Sequence, residues 1–175
     1  MQWSAQKLAL YSLLVALLVV GRLSFQFLPN VQPNTALLII MAIVLGIRAG
    51  ALFALMSMFL TNLVLGMGSY FFMQLFMYTL ICIMSGLLGK VRGRWPKTVF
   101  ILAAIFSVIS GYLYGFGFAV QNWVVTNMFW AYWVAGWSFD TVHALSNIFF
   151  FLILYKPITH LLERYSPLMA NHKRT

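Results

Sequence analysis

Acidic side chains are almost missing from this chain. Two, Asp140 and Glu163, stand against eleven lysines and arginines in 175 residues. Charged residues make up 7% of the sequence and apolar ones 63%, with a mean hydropathy of +0.92. So little charge excludes a soluble domain and predicts a single-domain integral membrane protein. The net charge of +9 does not imply nucleic-acid binding, because the basic residues flank apolar runs as topology signals do. A lone cysteine, Cys82, excludes an internal disulfide and reads as packing in an apolar run. No Gly-rich phosphate loop occurs, and no ladder of intramembrane charges of the kind a proton relay needs. Uphill transport by this chain would therefore take its drive from partners. A cleavable signal peptide is not expected, since the first apolar run ends at Arg22 without a small-x-small cleavage site.

What is present is a series of apolar runs with few interruptions. They predict an all-α bundle of six transmembrane helices over residues 5–27, 34–47, 50–66, 71–89, 98–118 and 134–155, with a cytoplasmic tail over 156–175. Ala5-x-x-x-Ala9 and Ser12-x-x-x-Ala16 give the first helix a small-residue stripe, suited to packing on the same chain or on a partner. Pro29, Asn30, Gln32, Pro33 and Asn34 form a polar break, whose amides suit either a ligand or a plain turn with Asn34 or Thr35 as helix cap. The run over 36–66 is split at Gly46-Ile-Arg-Ala-Gly50. As one helix it would be ~46 Å long and would leave Arg48 near the middle of a ~30 Å hydrocarbon core.

Charge supports the split. With both termini inside, Lys7, Arg48, the 90–97 loop, Lys156, Arg164, Lys173 and Arg174 all lie on the cytoplasmic side, and only Arg22 lies outside. The outer side then collects the 28–35 loop, the 66–70 loop, the aromatic half of the fifth helix and an uncharged loop over 119–133. It is rich in rings and amides, as a ligand pocket is, although an interfacial aromatic belt also concentrates Trp and Tyr. The candidate ligand residues there are Asn30, Gln32, Asn34, Tyr70, Tyr112 and Tyr114, followed by Asn122, Trp130, Trp137, Asp140 and His143. Asp140, His143 and Asn147 fall at i, i+3 and i+7, with Gly136 one turn earlier, so they share one helix face. An ionisable residue inside a membrane helix faces the bundle interior or a cavity. Asp140 suits ligand contact or a structural bond equally. His143 reads as a hydrogen-bonding member of the stripe.

Six short helices, the Ala5-x-x-x-Ala9 start, Leu28-Pro-Asn-Val-Gln-Pro-Asn-Thr35, Gly66-Met-Gly68 with Gln74, and Phe139-Asp-x-x-His-Ala-x-x-Asn147 together resemble a known family. It is the substrate-binding S components of energy-coupling factor (ECF) vitamin transporters, and the resemblance covers nearly the whole chain. It implies a multi-pass subunit of a prokaryotic plasma membrane, not itself an enzyme and without a cofactor. Such a subunit captures a vitamin outside, docks through Ala5 and Ala9 on a transmembrane coupling protein carrying two cytosolic ATPases, and topples to release its cargo inside. The version here looks most like the cobalamin type. A corrinoid edged with amides suits a wide uncharged pocket, riboflavin suits rings and amides, and pantothenate would need Arg22 as its partner. Two other classes compete. A stand-alone permease would need no ATPase. An intramembrane serine protease would pair Ser85 with His143, but Ile83 stands where a Gly-x-Ser-Gly motif needs its first glycine.

Overall fold

The run over 36–66 is broken at Gly46, which has φ +87°, a conformation open to glycine without steric cost. Its amide closes helix α2 (Asn34–Leu45) on the Ala42 carbonyl at 2.9 Å, and α3 (Ile47–Leu65) begins at the next residue. In a computed structural model, which describes residues 4–169, these two helices are joined by α1 (Ala5–Ser24), α4 (Tyr70–Gly89), α5 (Pro96–Thr126) and α6 (Phe129–Met169). No strand occurs among the described residues. Five of the helices, all except α2, are long and apolar enough to cross a membrane.

Helix α2 is the core of the bundle. Every residue from Asn34 to Ile43 is buried, and the helix packs against all five others. A helix apolar around its whole circumference has no face to give to solvent, so it takes the centre. At twelve residues it is only ~18 Å long. Close packing around it depends on small residues. A Cβ on Gly50 would meet the Ala42 Cβ at 2.8 Å and the Cys82 Cβ at 3.2 Å, so α2, α3 and α4 converge there.

The last two helices are longer than the expected spans of 98–118 and 134–155. The aromatic segment over 119–133 is helical except at a short hinge, because it contains no proline and only its final asparagine breaks the pattern. Asn127, at φ +59°, caps α5 in the left-handed conformation and bonds the Trp123 carbonyl. At the other end α6 runs on through Lys156 and Pro157. Pro157 forfeits one helix hydrogen bond, but burial of Ile158, Thr159 and Leu162 holds the next turns in place. Glu163 pairs with Arg92 of the basic loop. Lys173 and Arg174 lie outside the described residues.

The bundle has two unlike ends. The Gly46 turn lies beside Gly86 and Gly89 of α4, near the basic loop. The 25–33 loop, the 66–69 loop and the α5–α6 tip gather at the opposite end, joined by Asn30 to the Phe139 carbonyl at 3.0 Å and by Gln121 to the Ser69 carbonyl at 3.3 Å.

Helices α5 and α6 meet backbone to backbone at Gly111. A Cβ on Gly111 would stand 2.6 Å from the Ala144 nitrogen and 2.7 Å from its Cα. Gly111→Ala is therefore expected to cost about 1–3 kcal/mol and to lower the unfolding midpoint in detergent. Gly93→Ala, where a Cβ meets nothing within 4 Å, serves as the control and should melt like the wild type. Equal midpoints for the two variants would contradict this packing.

Candidate functional site

The polar stripe of α6 faces inward over its whole length. Asn147 donates to the Ser110 hydroxyl on α5 at 3.2 Å. His143, buried, shares a 3.0 Å hydrogen bond between its Nε2 and the Thr35 hydroxyl on α2. Ser146, one residue before Asn147, accepts from the Gln32 amide at 3.0 Å. Gln32 in turn donates through its side chain to the Tyr78 hydroxyl at 3.3 Å. This layer ties α6, α2 and α4 together where the polar start of α2 is buried. A buried polar group left without a partner costs about 1–3 kcal/mol, so these bonds fix the register of three helices.

Above this layer a cavity of about 490 Å³ opens between α4, α5, α6 and the 25–33 loop. Asn30, Tyr70, Tyr114 and Asp140 of the expected ligand residues line it. Asn30 is held there at φ +58°, a conformation asparagine tolerates better than most residues. The Tyr114 ring makes a tilted contact with Tyr78 at 5.3 Å and an edge contact with His143 at 5.2 Å. Asp140 lies against Gly115, where any Cβ would overlap its carboxylate.

The other expected residues are elsewhere. Gln32 and His143 belong to the layer below the cavity. Asn34 is fully buried in α2, and Pro33, not Asn34 or Thr35, stands at the N-cap, with no side-chain cap. Tyr112 bonds Thr141 at 3.0 Å on the outer surface. Trp137 is exposed and packs on Trp133, while Asn122 reaches across the hinge to the Met128 carbonyl at 3.3 Å. Trp130 lines a separate apolar cleft at the tip. Asn122 and Trp130 were expected in an open loop, and the continuation of α5 and early start of α6 place them on helices instead; Tyr112 and Trp137, expected on the fifth and sixth helices, lie on the outward faces of α5 and α6. Arg22 is also committed, donating to the Thr61 hydroxyl and the Met58 sulfur on α3, each at 2.9 Å.

Gln74, Phe118, Tyr132, Trp133 and Phe139 complete the cavity wall. Gln74 is oriented by α3, since its side-chain oxygen accepts from Asn62 at 3.0 Å. The sequence signal for it was the turn spacing Tyr70–Gln74, which puts both on one face of α4. No cluster of three His, Cys, Asp or Glu that could hold a metal occurs among the described residues. Ser85 is fully buried on α4 with its hydroxyl unpartnered, while His143 Nε2 is taken by Thr35, so the two form no Ser–His pair. A larger groove between α1 and α3 is almost wholly apolar and collects no such set of fixed polar groups.

No family model, no curated protein and no solved structure matches this chain.

The layer beneath the cavity can be tested through Thr35. Thr35→Val keeps the shape and removes the partner of His143 Nε2. The expected loss is about 1–3 kcal/mol of stability, read as a lower unfolding midpoint in detergent. An unchanged midpoint would mean that the Thr35–His143 bond does not hold α6 on α2.

Proposed function

We propose that this chain is the substrate-binding membrane subunit of an ECF-type vitamin importer, with the cavity at the α5–α6 tip as its binding site. The observation that carries the reading is that cavity. Its volume of about 490 Å³ falls inside the ~300–1,000 Å³ range of small-molecule sites, and its walls are aromatic with a few fixed polar groups. In this reading both termini are cytoplasmic, all six helices cross, and the cavity opens outward. Helix α2 can count as a crossing despite its length because protein, not lipid, surrounds it, and backbone inside a bundle need not span the hydrocarbon alone.

The cavity also bears on the cargo. A cobalamin exceeds its volume and would require the α5–α6 tip to swing open, whereas a vitamin of one to three rings fits as the site stands. Pantothenate loses the partner expected for it, because Arg22 is bonded to α3. Docking on the coupling protein falls to α1, a peripheral helix that buries only Leu14 and Leu18. Its small residues Ala5, Ala9, Ser12 and Ala16 are exposed in a row.

The test separates capture from transport. Ala9→Trp is expected to leave ligand binding by the detergent-purified chain unchanged and to abolish uptake by cells that express the coupling protein and ATPases. Uptake at the wild-type rate, or uptake by the chain without any ATPase partner, would favour a stand-alone permease.

A further inference from the structure

Asp140 is 7% exposed and lines the cavity, yet among the described residues its carboxylate accepts no hydrogen bond and forms no ion pair. Gly115 leaves the space that the carboxylate fills. A carboxylate held in a cleft of low polarity without a partner is costly, and proteins ordinarily pair such a charge. The bundle's own cations do not supply the partner. Arg22 is bonded to Thr61 and Met58, and Arg92 sits with Glu163 at the opposite end. The cavity that the carboxylate lines carries the rings of Tyr114, Phe118, Tyr132, Trp133 and Phe139 in its wall. Aromatic rings attract a cation through their quadrupole, and rings grouped around a pocket are a means of holding an organic cation.

We propose that the ligand of this cavity is an organic cation, a ring compound whose protonated or quaternary nitrogen sits against Asp140 among these rings. This rests on the reading of the cavity as the capture site. It divides the candidate cargoes by charge. A neutral flavin leaves Asp140 unpaired, and an anionic pantothenate is repelled by it. Gln74, whose oxygen accepts from Asn62, is also hydrogen-bonded to Tyr114, so both residues are held in place in the cavity wall.

The test is calorimetric titration of the detergent-purified chain with thiamine as a cationic vitamin, riboflavin as a neutral one and pantothenate as an anionic one. Benzamidine and benzamide form a matched pair that differs chiefly in charge. The wild type is expected to bind thiamine saturably and to prefer benzamidine to benzamide. Asp140→Asn is expected to weaken thiamine by about 30-fold or more, as for truncation of one partner of a buried charge pair. Without ligand, Asp140→Asn should melt at or above the wild-type temperature, because it removes an unpaired charge; a structural carboxylate would give the opposite. Riboflavin bound more tightly than thiamine, with Asp140→Asn binding it equally well, would overturn the inference and leave the capture reading in place. Failure of every compound to bind would contradict the inference, and failure of cobalamin as well would contradict the capture reading. The benzamidine and benzamide comparison on the wild type decides the charge preference even if Asp140→Asn does not fold.

Discussion

Complete burial of α2 is the constraint on which the rest depends. Its residues from Asn34 to Ile43 have no face towards the outside, so every neighbouring helix must come within side-chain distance of it. Its apolar length is accommodated by packing alone. Its first turn is harder to place, because Asn34 and Thr35 are polar and sit where water does not reach. The hydrogen-bonded layer of Thr35, His143, Gln32, Tyr78 and Ser146 answers that need in large part and also locks α6 and α4 to the post. The accommodation is incomplete, since both polar atoms of the Asn34 side chain lack a partner among the described residues.

The cavity follows from the same geometry. Gly111 and Ser110 let α6 approach α5 backbone to backbone. Further up, the tip of the two helices is held by Phe116, Phe129 and Trp133 in edge and tilted contacts. Between these contacts Gly115 of α5 faces the Asp140 carboxylate of α6. The site thus has a rigid hydrogen-bonded floor, an aromatic wall and one carboxylate placed by a glycine. This is a preorganised arrangement, and a ligand that fills it need order few side chains, which favours affinity.

Much of the fold was legible in the sequence for identifiable reasons. Gly46 and the basic residues around it marked the short hairpin, because an arginine in mid-membrane is costly and the alternation of charged loops had to close. The inward stripe of α6 was legible because residues three, four and seven apart share a helix face. The tip was not. Rings and amides over 119–133 read as a loop, but none of them breaks a helix, and only the left-handed Asn127 does. That error carried over to Asn122 and Trp130, whereas Tyr112 and Trp137 were misplaced by helix phase. Tyr112 and Tyr114 are two residues apart, about 200° around a helix, so only one of them can face the cavity. Trp137 likewise stands one residue past the inward face that carries Gly136 and Asp140. Lys156-Pro157 suggested a helix end, and tertiary burial of Ile158 and Leu162 overrode it.

The central claim is a post-and-ring bundle whose cavity opens on the side opposite the basic loop. Its most direct test is sidedness of labelling in intact cells, with Cys82→Ala as the background because Cys82 is the only native thiol. Tyr132→Cys marks the cavity wall and Arg94→Cys the basic loop, and both positions are exposed. A membrane-impermeant maleimide is expected to label Tyr132→Cys in intact cells, and Arg94→Cys only after permeabilisation. Labelling of Arg94→Cys from outside, with Tyr132→Cys protected, would turn the molecule over and contradict capture of a solute from the external side.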